Sequence, residues 1–97
     1  MSKIYTVAAY RSASDPAALA AYAALAGPAI AAGGGRVIAR GMPLAIFEAG
    51  LDQRVIIIEW DSLEQATAIY KTEAYRAAVA HLGSTAERDI RIIEGVT

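Results

Sequence analysis

The sequence predicts one α+β domain over residues 1–97 with the element order β-α-β-β-β-α-α-β, close to the split βαβ arrangement. Three observations predict this class. Segments rich in Ile, Val, Thr and Tyr begin and end the chain, as β-strands do. An alanine-rich helical segment stops at Gly33-Gly34-Gly35 and passes directly into a strand pattern. A continuous run of Val and Ile within residues 54–60 indicates a strand that is buried on both faces.

The first strand is predicted over residues 3–10, which alternate loosely between apolar and polar side chains. Asp15 and Pro16 begin the first helix, because Asp can accept the free amide hydrogens and proline loses nothing at the first helical position. Pro28 lies inside this helix and predicts a kink. Apolar residues at helical spacing give the helix a buried face, namely Leu19, Tyr22, Ala23, Ala26 and Ile30.

Two short strands are predicted over residues 36–40 and 44–48, joined by Gly41-Met42-Pro43. The next strand, residues 54–60, must be covered on both faces. Helices can cover one face, but a chain of 97 residues with so few helices has little to place on the other. We therefore predict a homodimer in which the two sheets pack face to face.

The remaining elements follow from caps and spacing. Ser62 and Gln65 form a capping box at the start of a helix. A break near residues 71–72 separates it from a second helical segment, and residues 89–94 close the sheet. The apolar residues of the two helical segments are Leu63, Ala66, Ile69 and Tyr70 in the first and Tyr75, Val79 and Leu82 in the second.

Composition excludes several classes of function. The nine Lys and Arg residues are scattered among ten acids, for a net charge of −1, so neither a nucleic-acid surface nor a membrane-surface patch is predicted. The chain has no cysteine, which excludes disulfides and thiolate chemistry. Its first residues enter a strand pattern at once, without a signal-peptide pattern. We expect a cytoplasmic protein without a transmembrane helix.

The predicted strands carry charged residues where apolar ones are usual. Strict alternation places Arg36, Ile38 and Arg40 on one face of the second strand, and Val55, Ile57 and Glu59 on one face of the fourth. Four of the charged residues are predicted to converge near one end of the sheet, namely Arg40, Glu48, Arg54 and Glu59. Two interpretations stay open: ion pairs at the sheet edge or dimer seam, or the polar end of an apolar pocket in which Arg40 orients an anionic or carbonyl oxygen.

His81 is the only histidine and the only side chain whose ordinary pKa suits proton transfer near neutral pH. It is therefore a candidate general base, although a lone helical histidine is also typical of a surface or cap position. Glu48 or Glu59 is an alternative base if burial raises its pKa. Four aromatic residues are candidates either for the core or for the wall of a cavity between sheet and helices, namely Tyr22, Trp60, Tyr70 and Tyr75.

Other common sites are not predicted. Phosphate-binding glycine loops lead from a strand into a helix, whereas Gly33-Gly34-Gly35 follows a helix and precedes a strand. One histidine and no cysteine leave only carboxylates as metal ligands, without a spaced set. We expect neither a metal nor a cofactor.

The order of several residues along the chain carries a family resemblance. From about residue 5 to residue 95 the sequence resembles the bacterial family called domain of unknown function 1330, at Tyr22, Pro28, Gly35, Arg40, Gly41, Arg54, Glu59, Tyr70 and Tyr75. The resemblance implies a ferredoxin-like α+β fold and membership of the dimeric α/β barrel superfamily, in which cofactor-free monooxygenases hold aromatic substrates between sheet and helices. The sequence departs from the family pattern at Ile69 and at Thr72-Glu73.

The leading hypothesis is a small homodimeric protein that binds a small, partly apolar metabolite between sheet and helices and acts on it without a cofactor. His81 or Glu59 would transfer a proton, and Arg40 would stabilise developing negative charge. The alternative is a non-catalytic dimerisation or ligand-sensing module. The predicted substrate-binding residues are Tyr22, Glu48, Arg54, Trp60, Tyr70 and Tyr75.

Overall fold

Four strands and three α-helices make up the structure, a computed structural model that describes residues 2–96. In chain order they are β1 (Ile4–Ala13), α1 (Pro16–Ala32), β2 (Arg36–Gly41), β3 (Val55–Trp60), α2 (Leu63–Ala68), α3 (Glu73–Ala80) and β4 (Ala86–Glu94). A 3₁₀ turn, Ile69–Lys71, links α2 to α3. The strands form one antiparallel sheet in the order β2-β3-β1-β4. The predicted α+β class is confirmed. The observed order has four strands, one fewer than the predicted order.

The strand predicted over residues 44–48 is wrong, because residues 42–54 form a loop between β2 and β3. Glu48 has a φ of 51°, which an extended strand does not allow. The Gly50 amide donates a hydrogen bond of 3.0 Å to the Phe47 carbonyl and so closes a turn at this point. The alternating apolar residues point largely into solvent instead, with Leu44 fully exposed and Phe47 81% exposed.

The helix boundaries follow the predicted caps. Asp15 Oδ1 accepts hydrogen bonds from the amides of Ala17 and Ala18 at 3.0 and 3.1 Å. Helix α1 then runs without interruption through Pro28 to Ala32, and Gly34 follows with a φ of 93°. At the start of α2, Ser62 Oγ accepts from the Gln65 amide at 3.2 Å. These local bonds fix where each helix begins and ends.

One face of the sheet packs against the helices and holds the core. Trp60 is 1% exposed, and its Nε1 donates a hydrogen bond of 3.0 Å to Thr6 Oγ1 on the neighbouring strand. Two alternate residues of β3 lie on the same face as Trp60: Ile58 is buried, and Ile56 packs at the margin of the core. The buried cluster comprises Tyr22, Ala26, Ala29, Ile30, Ile58, Trp60, Ala66, Ile69, Tyr75, Ala78 and Leu82.

The other face of the sheet carries no helix within residues 2–96. At its centre Val7 pairs with Ile57, and Ile57 pairs with Ala39, so three apolar side chains lie side by side. The domain measures 38 × 36 × 16 Å, and the short dimension corresponds to one sheet and one layer of helices. We call this surface the uncovered face.

Strand β2 departs from the strict alternation that the sequence predicts. Its register against β3 shifts between Val37 and Ala39, as at a β-bulge. Arg36 pairs with Glu59 on the uncovered face, whereas Arg40 pairs with Ile56 on the helix side. The prediction that Arg36 and Arg40 share one face is therefore wrong, because the bulge inserts one residue between them.

Within residues 2–96 no helix combines the length and the hydropathy that crossing a lipid bilayer requires.

Candidate functional site

A cavity of about 50 Å³ lies between the helix side of the sheet and helices α1 and α3. Much of its wall is apolar, with Leu19, Ile30, Ile56, Ile58 and Ile90 among the lining residues. The polar lining residues are Thr6, Tyr10, Tyr22, Arg40, Arg54, Tyr70, Tyr75 and Arg88. A neighbouring hollow of about 380 Å³ beside α3 shares Tyr70, Tyr75, Arg88 and Ile90 with it.

Two phenols and one guanidinium form a hydrogen-bonded cluster in the wall of this cavity. The hydroxyls of Tyr22 on α1 and Tyr75 on α3 share a hydrogen bond of 2.8 Å. Arg88 Nη1, from β4, donates to Tyr22 Oη at 3.1 Å and to Tyr75 Oη at 3.4 Å. The Arg88 guanidinium carbon also lies 5.1 Å from the Tyr22 ring centroid, within cation–π range. The cluster ties both helices to the last strand.

The environment favours the neutral form of the Tyr22 phenol and the charged form of the Arg88 guanidinium. Burial raises the pKa of Tyr22, and the hydrogen bond to Tyr75 raises it further against the opposing charge of Arg88. Burial also raises the pKa values of Tyr10 and Tyr70. For Arg88, burial alone would lower the pKa, but the contacts with Tyr75 and Tyr22 more than offset it, so the net shift is upward. The cavity wall is therefore cationic at neutral pH.

The raised pKa of Tyr22 predicts a loss of stability in alkali. An unfolded tyrosine ionises near pH ~10, whereas folded Tyr22 keeps its proton to higher pH. Above pH ~10 the unfolded state therefore binds fewer protons than the folded state, and stability falls by up to about 1.4 kcal/mol per pH unit for one such group. Urea unfolding at several pH values from 8 to 11, followed by Trp60 fluorescence, should show a shallower decline in Tyr22→Phe. Equal slopes in the two proteins would contradict this assignment.

Two buried polar atoms in the cavity lining make no hydrogen bond within residues 2–96. They are the hydroxyl of Tyr10, a residue only 2% exposed, and Nε of Arg54. No carboxylate in the same part of the chain pairs with Arg40, Arg54 or Arg88. Buried polar groups are nearly always satisfied by protein or by ordered water, so these two atoms are exceptions within residues 2–96.

Five of the residues predicted for the site line the cavity together. They are Tyr22, Arg40, Arg54, Tyr70 and Tyr75. Tyr75 lies at the centre of the aromatic wall, with ring centroids 6.1 Å from Tyr22 and 5.3 Å from Tyr70, both edge to face. These five residues come from α1, β2, the loop at residues 42–54, the 3₁₀ turn and α3.

Glu59 lies on the uncovered face, away from the cavity. Its Oε1 accepts a hydrogen bond of 3.0 Å from Arg36 Nε, and its Oε2 accepts one of 3.1 Å from Tyr5 Oη. The Arg36 and Tyr5 hydrogen bonds lower the pKa of Glu59, whereas a general base working near neutral pH needs a raised one. The predicted convergence of Arg40 with Glu59 does not occur.

Three other predicted residues also lie outside the cavity lining. His81 is the exposed residue that ends α3. Glu48 lies exposed in the loop at residues 42–54. Trp60 fills the core beside Thr6. The catalytic roles predicted for His81 and Glu59, and the substrate contacts predicted for Glu48 and Trp60, stay predictions for mutagenesis.

Two residues of the site were missed from the sequence, Tyr10 and Arg88. The sequence pattern predicts the last strand only from residue 89, which leaves Arg88 outside it. Strand β4 begins at Ala86, so Arg88 continues the alternation of Ile92 and Ile90 on the helix side. An arginine at an inward position of an otherwise apolar alternation is the signal that would have indicated it.

Fold and cavity together define a ferredoxin-like α+β domain with a polar-ended cavity between sheet and helices. The family model of the domain of unknown function DUF1330 matches residues 3–96, and the chain belongs to this family. Comparison with curated proteins finds no match.

Solved structures support the same fold. RPA0582 of Rhodopseudomonas palustris, of unknown function, is 23% identical with a TM-score of 0.75, covering 99% of this chain and 84% of its own. A dimeric ferredoxin-like protein of unknown function from Thermobifida fusca is 18% identical with a TM-score of 0.69, covering 96% and 91%. SnoaB of Streptomyces nogalater, a cofactor-independent oxygenase, is 11% identical with a TM-score of 0.70, covering 100% and 96%. At these identities the likeness concerns the fold alone.

Proposed function

We propose that this protein is a homodimer that binds a small, partly apolar metabolite in the cavity between the sheet and helices α1 and α3. The observation that carries the proposal is the pair of unsatisfied polar atoms, Tyr10 Oη and Arg54 Nε, in a largely apolar cavity. Ligand sites combine an apolar wall with a few polar groups that fix orientation. The volume of about 50 Å³ favours a small ligand over a drug-sized one, which needs ~300 Å³ or more.

The lining favours binding over proton transfer. Its ionisable groups within residues 2–96 are arginines and tyrosines, and no Asp, Glu, His or Lys lines the cavity. Such groups ionise far from neutral pH, so the cavity can stabilise negative charge but does not itself supply a general base. This observation favours the second candidate, a ligand-sensing module without catalysis. The first candidate, a reaction without a cofactor, gains support from the same fold in the oxygenase SnoaB.

A second copy of the chain is the proposed cover of the uncovered face. The loop at residues 42–54 lies beside this surface and carries two strongly exposed apolar residues, Leu44 and Phe47. A hollow of about 510 Å³ lies between this loop and the sheet residues Ala9 and Val55. Apolar side chains exposed in this way favour a protein–protein interface. The Thermobifida fusca protein with the same fold is dimeric.

Cavity filling tests whether the cavity binds a ligand. Ala23 on α1 is exposed and lines the cavity, whereas Ala24 is exposed and does not. In a thermal-shift screen of small metabolites, a ligand at about 100-fold excess over its Kd should raise the wild-type unfolding free energy by ~2.7 kcal/mol. That gain corresponds to an increase in Tm on the order of 10 °C for a domain of this size.

The two leucine variants then locate the binding site. Ala23→Leu should abolish the Tm shift because its side chain enters the cavity, and Ala24→Leu should retain it. A ligand whose Tm shift survives in Ala23→Leu binds elsewhere and contradicts the proposed site. A broad library without any stabilising compound would contradict ligand binding altogether.

A further inference from the structure

We propose, building on the ligand site above, that the ligand is a small organic acid whose carboxylate binds between Arg54 and Arg88 against the Tyr10 hydroxyl. This assignment follows from the position of these three residues in the sheet and from the charge that surrounds them.

The three residues form one row across the helix side of the sheet. Tyr10 on β1 is the register partner of Arg88 on β4. On the other side of Tyr10, its amide donates a hydrogen bond of 2.9 Å to the Arg54 carbonyl, just before β3 begins. Directly opposite residues of neighbouring strands point to the same face with Cβ atoms ~5 Å apart. The side chains of Arg54 and Arg88 therefore lie on either side of Tyr10 in the sheet register, and all three residues line the cavity.

The row carries positive charge without a counter-ion. Arg54 and Arg88 line the same cavity as Tyr10, and both positive charges oppose the rise that burial causes in the pKa of Tyr10. No carboxylate of residues 2–96 pairs with either arginine. Partly buried charges are costly when unpaired. An anion in the cavity removes this cost and also supplies acceptors for Arg54 Nε and Tyr10 Oη.

The apolar part of the cavity wall determines which class of anion fits. A guanidinium matches the two oxygens of a carboxylate, and a phenol can donate a third hydrogen bond to the same group. Inorganic anions would leave the apolar lining of Leu19, Ile56 and Ile90 without a partner. An organic acid places its carboxylate at the arginine end and its hydrocarbon part against these side chains.

Matched probes test the charge requirement. Isothermal titration calorimetry at pH 7 and low salt would compare 2-methylpropanoate and benzoate with their neutral amides and with inorganic phosphate. We expect at least one of the two acids to bind at least tenfold more tightly than its amide and than phosphate. Equal binding of acid and amide would overturn the organic-acid inference while leaving the ligand site intact. Tighter binding of phosphate would overturn it as well.

Variants test the three residues. Arg88→Met and Arg54→Met should each weaken binding of the acid about tenfold or more, because each removes a charged donor but keeps an unbranched side chain. Lys71→Met removes the same charge from an exposed position outside the cavity and should bind like the wild type. Unchanged affinity in both arginine variants would overturn the assignment.

Two further variants cover the case in which a methionine variant does not fold. Tyr10→Phe deletes one hydroxyl and should weaken binding about threefold to tenfold. Arg88→Lys keeps the charge but loses the planar donor pair, so its affinity should lie between wild type and Arg88→Met. If neither acid binds to the folded wild type, the organic-acid inference fails, and the Ala23→Leu comparison decides separately whether the cavity binds any ligand.

Discussion

Ile57→Lys should convert the proposed dimer to a monomer of 10.2 kDa. Ile57 lies at the centre of the uncovered face between Val7 and Ala39, and Arg91 lies in the same row beyond Val7. A lysine here would place an unpaired ammonium in the proposed interface. A two-fold symmetric interface contains the change twice, so we expect a cost of several kcal/mol per dimer. Sedimentation velocity at micromolar concentration measures the outcome.

The control is the same kind of substitution on the opposite side of the domain. Leu25 on α1 is 43% exposed and does not line the cavity, so Leu25→Lys should leave the mass and the fold unchanged. The buried Trp60 reports through its fluorescence that both variants still fold. A wild-type protein that sediments as a monomer would contradict the proposed dimer. An Ile57→Lys protein that remains dimeric would contradict the assigned interface.

Much of the fold could be predicted because its signals are local. Asp15 accepts the first amide hydrogens of α1, and Ser62 does the same for α2, so both helix starts are encoded by single residues. The apolar run of residues 54–60 predicts a strand, and β3 forms there, between β2 and β1. The loop at residues 42–54 was mistaken in part for a strand because its apolar residues alternate, while the decisive feature, a left-handed backbone at Glu48, has no glycine to indicate it.

The site could be predicted only where side-chain direction follows from regular spacing. Tyr22 and Tyr75 lie on the buried faces of their helices, and their placement in the cavity follows from helical periodicity. The side-chain directions of strand residues were harder to predict, because the bulge between Val37 and Ala39 reverses the direction of Arg40 relative to Arg36. The row of Arg54, Tyr10 and Arg88 depends on register between strands that are distant in sequence, which no local pattern specifies.

Gly35→Ala should destabilise the protein by overpacking its core. A Cβ at Gly35 would lie 2.6 Å from Ile30 Cγ2 and 2.9 Å from Trp60 Cη2. Both neighbours are core side chains, with Trp60 only 1% exposed, so neither can move without disturbing the packing around it. Overpacking of this kind costs about 1–3 kcal/mol. Urea unfolding followed by circular dichroism should show a lower midpoint with an unchanged slope.

Gly27→Ala is the matched control, and its effect on the free energy of unfolding should have the opposite sign. Gly27 lies inside α1, and a Cβ there meets no atom within 4 Å. Alanine is favoured over glycine in a helix interior by roughly 1 kcal/mol, so this variant should be more stable than the wild type. If Gly35→Ala unfolded at the wild-type midpoint, the close packing of Gly35 between Ile30 and Trp60 would be wrong.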